Sequence, residues 1–146
     1  MKKLLTSEKR VPNISSGTLM FSGVLSMAVG LIYILNLPGL TGDATPTTVP
    51  WGYFAVSLGI VVLLWIVLGV NLNQKLCKLF VSINLGVVAL LQLPAILAWL
   101  LFHGRVISDG PVGPVGHWLW SVPHIFLGVV SMYSIFILLC KEKRLD

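Results

Sequence analysis

Residues 51–70 read WGYFAVSLGIVVLLWIVLGV, a stretch without a single Asp, Glu, Lys, Arg or His. An α-helix needs about 20 apolar residues to cross a hydrocarbon core about 30 Å thick, and this stretch has that length. Lipid offers the backbone no hydrogen-bond partner, so a crossing segment must bond its amides internally. Residues 51–70 therefore predict a transmembrane helix.

Three further stretches meet the same criterion, at residues 17–37, 79–102 and 117–140, and none of them contains Asp, Glu, Lys or Arg. Across the 146 residues, 56% are hydrophobic and 10% are charged, whereas roughly a quarter of the residues are charged in a soluble domain. Too few polar residues remain to cover a soluble surface. We expect an all-α membrane protein, with residues 1–146 forming one antiparallel bundle of four transmembrane helices.

The basic residues predict how the bundle is oriented. All except Arg105 precede helix one, lie between helices two and three, or follow helix four: Lys2, Lys3, Lys9, Arg10, Lys75, Lys78, Lys141, Lys143 and Arg144. Since cytoplasmic segments of membrane proteins are rich in Lys and Arg, both termini are expected in the cytoplasm. Topology thus accounts for the net charge of +5, and no nucleic-acid partner is expected. The charges give an orientation but do not identify the membrane.

The connections and the prolines give weaker signals. Residues 71–75 are short and polar and predict a tight hairpin between helices two and three, while residues 38–50 and 104–116 are expected to be irregular outer loops. Pro94 and Pro123 fall inside predicted spans, and proline there should kink each helix.

Aromatic residues gather near the predicted outer boundary, as in the aromatic belts of membrane proteins. They are Trp51, Tyr53, Trp99, Trp118 and Trp120.

Small residues at helical spacing predict where the helices pack, because transmembrane helices associate through close backbone approach and a few polar contacts. Such positions are Ser22, Ser26 and Gly30 in helix one, Ala55 and Gly59 in helix two, and Ser82 and Gly86 in helix three. Helix four carries the longest pattern, His117, Ser121, His124, Gly128 and Ser131, which lie on one face. That face is expected to point into the bundle, as a packing seam or as a ligand-contact surface.

Asn84, Gln92 and His124 are candidates for ligand binding, because they are strong hydrogen-bonding groups within the predicted spans. Hydrogen bonds between helices are the simpler interpretation. The alternative is a site for a lipid, a quinone or a haem.

A metal site is a second possibility, formed by His103, Asp109 and His117 at the predicted outer side. Imidazole ligands suit copper or zinc. No closely spaced ligand motif accompanies these residues, and no cofactor is assigned from the sequence.

The predicted spans lack the charged group on which coupled transport usually depends. The sequence shows no pairing of a nucleophile with a base and no Cys-x-x-Cys pair, so neither motif suggests an enzyme. The sequence favours a non-catalytic accessory, assembly or scaffold subunit of a larger membrane complex, partnered by the bilayer and by other membrane subunits or further copies of itself. The alternatives are a lipid-, quinone- or haem-binding protein and a small oligomeric channel or facilitator.

Overall fold

The computed structural model describes residues 14–39, 44–68, 74–101 and 117–140. These residues form α1 (Ile14–Ile34), α2 (Ala44–Leu68), α3 (Gln74–Leu100), a short 3₁₀ helix (His117–Trp120) and α4 (Ser121–Cys140), and they include no strand. Each of the four α-helices is long and apolar enough to cross a membrane. The expected all-helical chain with four spans is confirmed in this respect.

The helices pack in a ring in which successive helices are neighbours. The seam between α1 and α2 is the most extensive, followed by the seams between α3 and α4 and between α1 and α4. The contact between α2 and α3 is much sparser, although only a short segment of chain joins them. The α2–α3 seam is therefore the loosest part of the ring.

The end of α1 is set by a capping motif and comes earlier than the predicted residue 37. Asn36 adopts a left-handed conformation with φ of 48°, which asparagine tolerates better than most residues. The amide of Leu37 donates to the carbonyl of Ile32 and the amide of Asn36 donates to that of Tyr33. These two bonds form a Schellman motif, which satisfies the last carbonyls of the helix.

The helix starts also differ from the expectation. α2 begins at Ala44 and contains Pro50, so much of the expected loop at residues 38–50 is helical. α3 begins at Gln74, inside the expected hairpin loop. Hydrophobicity marks the part of a helix that fits in lipid, and polar residues can continue the helix beyond it.

The two prolines expected to kink helices have different positions. Pro94 lies inside α3, which continues to Leu100. Pro123 lies in the first turn of α4, after the 3₁₀ helix. The first amides of a helix have no intrahelical acceptor, so proline is tolerated there without a lost bond. Pro123 is therefore not in the middle of a helix, as the sequence had suggested.

The interior of the bundle consists of polar and apolar layers. At the end where α1 finishes and α4 begins lies a polar layer of Tyr33, Gln92, Trp99 and His124. An apolar layer and then a layer of hydroxyl groups follow. Their members are Val29, Val88 and Leu127 in the apolar layer, and Ser22, Ser26, Ser131 and Ser134 in the hydroxyl layer. A second apolar cluster closes the other end, formed by Leu19, Val62, Val81, Leu85 and Leu138.

Large apolar side chains cover the outside of all four helices. Examples are Met20 on α1, Leu64 on α2, Leu90 on α3 and Val129 on α4, each more than half exposed. This distribution suits a bundle that places its polar groups inside and its apolar groups against lipid.

Candidate functional site

Four polar side chains form one buried network that joins three helices. The Tyr33 hydroxyl of α1 lies 2.6 Å from Nε2 of His124 in α4. The other ring nitrogen of His124, Nδ1, lies 2.8 Å from Oε1 of Gln92 in α3. Trp99, also in α3, donates its indole N–H to the Tyr33 oxygen over 2.8 Å. All four side chains are at most 4% exposed.

The donors and acceptors of this network can be assigned because each group has few options. The Gln92 oxygen can only accept, so Nδ1 of His124 carries the hydrogen of the neutral imidazole and donates it to Gln92. Nε2 then accepts from the Tyr33 hydroxyl, whose oxygen in turn accepts from the indole of Trp99. The Gln92 amide nitrogen donates in turn to the carbonyl of Val88 over 2.8 Å. Both ring nitrogens of His124 are therefore engaged within the protein.

Aromatic rings pack directly against the network. The ring centroid of Trp51 in α2 lies 4.9 Å from that of Tyr33 and 5.4 Å from that of His124. Trp120 lies 6.4 Å from Trp99, measured between centroids. These are ordinary packing distances between aromatic rings, so the network lies within an aromatic cluster.

The hydroxyl layer is the second polar region of the interior. The hydroxyls of Ser22 and Ser134 are 2.9 Å apart and link α1 to α4. Ser26 donates to the backbone carbonyl of Ala55 over 2.9 Å and links α1 to α2. Ser131 is fully buried, and its hydroxyl has no hydrogen-bond partner among the described residues.

Glycines allow α1 and α2 to approach closely at two levels. A Cβ added to Gly30 would lie 2.5 Å from the carbonyl oxygen of Gly52, and one added to Gly52 would lie 2.7 Å from that of Gly30. The second pair is Gly23 and Gly59, where a Cβ on Gly59 would lie 2.6 Å from the carbonyl oxygen of Gly23. Real Cβ atoms do not come that close, so Gly30, Gly52 and Gly59 have no room for a side chain. A Cβ on Gly23 would lie 3.1 Å from the carbonyl oxygen of Gly59, which is a tight contact.

The three candidate ligand-binding residues do not meet in one place. Gln92 and His124 are bonded to each other and buried. Asn84 is half-buried on another edge of α3, where its Nδ2 lies 3.4 Å from the carbonyl oxygen of Leu58 in α2.

The proposed metal ligands cannot be placed. His103 and Asp109 lie outside the described residues, and His117 is described only as the first residue of the 3₁₀ helix. No group of three or more potential metal ligands occurs among the residues that the structure describes. The metal site therefore stays a prediction.

The small residues from the sequence divide into two sets. Those that are buried are Ser22, Ser26, Gly30, Ala55, Gly59, Ser121 and Ser131. Ser82, Gly86 and Gly128 are half-buried. A Cβ at Gly86 would meet nothing within 4 Å, and one at Gly128 would only reach ordinary contact with Gln92. Close backbone approach is thus a property of the α1–α2 seam.

Several residues that form these contacts are not among those predicted from the sequence. Gly23 and Gly52 were not singled out, although both precede a second glycine by seven residues, which is two helical turns. Matching spacings in adjacent helices are a signal that could have been used. Trp99 was expected in the aromatic belt and Tyr33 was not considered. Their pairing depends on how the helices are rotated, which no single-helix pattern reveals.

No protein-family model, curated protein or solved structure matches this chain.

Proposed function

We propose that this chain is a non-catalytic subunit of a larger membrane complex, which supports assembly through the outer surface of its four helices. One observation carries the proposal: four buried polar side chains of α1, α3 and α4 bond one another. Tyr33, Gln92, Trp99 and His124 leave no ring nitrogen of the histidine for a ligand. A network of this kind fixes helices relative to each other, which is what a rigid assembly surface requires.

The layered interior weighs against a pore through a single bundle. Val29, Val88 and Leu127 lie between the polar network and the hydroxyl layer, and each is at most 1% exposed. An ion on the bundle axis would have to lose its water at this layer without any compensating polar group. A channel would need several copies and a path between them.

The alternative of a lipid, quinone or haem site requires the network to open. A ligand that bonds to His124 would have to displace either Tyr33 or Gln92. The displaced buried group would then lack its partner, at a cost on the order of 1–3 kcal/mol. An absorption spectrum or a stoichiometric lipid in the purified protein would favour this alternative over the subunit proposal.

The experiment for the proposal is purification of the tagged chain from its native membranes in a mild detergent, followed by mass spectrometry of its companions. A tagged four-span protein of unrelated sequence, expressed at the same level, controls for nonspecific capture. We expect a constant set of companions in fixed ratio to the chain. Recovery of the chain without stoichiometric companions would contradict the proposal.

Photo-crosslinking can then identify the helix that faces the companions. A photoreactive amino acid is placed at one exposed position per helix, Met20, Leu64, Leu90 or Val129, with the fully buried Leu127 as the matched control. We expect strong crosslinks to companions from one or two of the exposed positions and none from position 127. Equal crosslinking from all five positions would argue against a defined surface.

We further infer that both termini lie in the cytoplasm, from the excess of basic residues at that side of the predicted spans. Epitope tags at either terminus should resist protease added to intact cells and be cleaved after the membrane is opened. A tag inserted after Gly110 should show the opposite behaviour. Cleavage of a terminal tag in intact cells would contradict this orientation.

A further inference from the structure

Asn84 is a strong hydrogen-bonding group whose capacity is mostly unused. It lies eight residues beyond Leu76, where the membrane-spanning part of α3 begins, which is about 12 Å along the helix. A primary amide offers two N–H donors and a carbonyl acceptor. In the part of the chain that the structure describes, its one bond is the donation from Nδ2 to Leu58, at 3.4 Å. That distance is longer than the usual 2.7–3.2 Å.

The position of Asn84 makes this deficit costly. Hydrocarbon cannot accept or donate a hydrogen bond, so an unbonded amide at this depth costs several kcal/mol. Gln92, two helical turns further along α3, avoids this cost, because its side-chain oxygen and nitrogen both have hydrogen-bond partners at 2.8 Å. The described residues thus satisfy Gln92 and provide no partner for the oxygen of Asn84.

The surroundings of Asn84 leave it within reach of another molecule. It lies at the loosest seam of the ring, between α2 and α3, and is itself only half-buried. Phe80 and Val87, four residues before it and three after, are 49% and 37% exposed. This alternation of four and three residues is the spacing at which one helix presents a continuous row to another.

We propose that Asn84 is the centre of an interface between two copies of this chain. A carboxamide is complementary to itself: across a two-fold axis, each Oδ1 accepts an N–H from the other copy, and each side chain gains one acceptor and one donor. A hydroxyl or a backbone carbonyl of an unrelated helix would satisfy only part of this capacity. Polar side chains of this kind promote association of transmembrane helices.

This inference does not rest on the proposed assembly function. Two copies could associate in a protein that has no other companions, and companions could bind to monomers. Self-association of the purified chain therefore tests the interface, while the capture of companions from native membranes tests the assembly role.

The test measures energy transfer between donor- and acceptor-labelled copies in liposomes, over a series of protein-to-lipid ratios. We expect wild-type copies to associate. Asn84→Leu, which removes the amide, should weaken association about tenfold or more, the effect of losing two hydrogen bonds between helices. Asn84→Gln, which keeps the amide, should retain most of it, and Ser82→Ala, a polar-to-apolar change elsewhere on α3, should leave it unchanged. A monomeric wild type or undiminished association of Asn84→Leu would overturn the proposal.

A second measurement avoids removing Asn84, in case the leucine variant does not fold. Single cysteines are placed at Val87, on the proposed interface, or at Leu93, an exposed residue nine positions after Asn84 and therefore on the opposite face of α3, after Cys77 and Cys140 have been replaced by alanine. Oxidation should join Val87→Cys copies into disulfide-linked dimers in the membrane and leave Leu93→Cys copies monomeric. Absence of the Val87→Cys dimer, or equal yields from both positions, would contradict the interface.

Discussion

The α1–α2 seam and the interior shared by α1, α3 and α4 hold helices together in different ways. In the seam, Gly30 faces Gly52 and Gly23 faces Gly59, so the backbones approach until no side-chain atom fits between them. In the shared interior, Tyr33, Gln92, Trp99 and His124 keep the helices apart by the width of their side chains and join them by directed hydrogen bonds.

This difference predicts that the glycine seam and the polar network are destabilised by different kinds of substitution. Beside the one hydrogen bond from Ser26 to Ala55, dispersion forces hold the glycine seam together, and these depend on distance but have little directional preference. Adding atoms is therefore harmful there. The polar network depends on complementary donors and acceptors, so removing a partner is harmful even when the replacement has a similar size.

The largest effect is expected from adding one methyl group to the glycine seam. Gly30→Ala should lower the free energy of unfolding by about 2–3 kcal/mol, because the new Cβ overlaps the Gly52 carbonyl and forces the helices apart. Gly86→Ala is the matched control in α3, where a Cβ has open space. It should be neutral or stabilising by up to about 1 kcal/mol, as alanine favours helix. Reversible unfolding in mixed micelles measures both, and equal losses would refute the close approach.

Removing the imidazole should have the next largest effect. His124→Leu leaves the Tyr33 hydroxyl without its acceptor and the Gln92 oxygen without its donor. We expect a loss of about 2 kcal/mol from two unsatisfied buried groups, reduced by the modest strength of hydrogen bonds inside membranes. The same unfolding assay measures the loss. A change below about 0.5 kcal/mol would show that the network does not hold the helices.

A double-mutant cycle sharpens this result. Tyr33→Phe keeps the ring and removes only the hydroxyl, and we expect a loss of about 1 kcal/mol. Combined with His124→Leu, it should cost less than the sum of the single losses, because both remove the same hydrogen bond. Strictly additive losses would mean that Tyr33 and His124 do not interact.

The smallest effect is expected from two of the four serines of the hydroxyl layer, which should respond differently to alanine. Ser134→Ala breaks the bond to Ser22 and should cost about 0.6 kcal/mol, a typical value for such a bond in a membrane protein. Ser131→Ala removes a hydroxyl that has no partner among the described residues, so stability should stay the same or rise slightly. If Ser131→Ala were the more harmful change, the Ser131 hydroxyl would have to be bonded.

The four helices were predictable because membrane insertion depends on hydrophobicity, a property of single residues that is summed over a stretch of sequence. Residues 51–70 and the three other stretches each lie largely within an observed helix. The helix ends were less predictable. Ala44 and Gln74 begin helices in polar sequence, and the end of α1 depends on the left-handed conformation of Asn36. Hydrophobicity carries no information about either feature.

The site was predictable only in part, because it depends on which faces of different helices meet. His124 and Gln92 could be selected as polar groups within spans, and the structure bonds them to each other. Trp99 was assigned to the boundary by its distance from the end of the span, yet it is fully buried. Its rotation toward Tyr33 follows from the packing of α3 and not from its position along the chain.

The most direct test of the closed polar network is nitrogen NMR of the protein in lipid nanodiscs, with labelled histidine. The resonances of His124 can be assigned by their loss in His124→Leu. The network predicts a neutral imidazole with its hydrogen on Nδ1, and an Nε2 resonance that shifts in Tyr33→Phe, because Nε2 accepts the tyrosine hydrogen. A hydrogen on Nε2 would contradict the assigned donor directions. An Nε2 resonance unaffected by Tyr33→Phe would contradict the network itself and leave His124 free to bind a ligand.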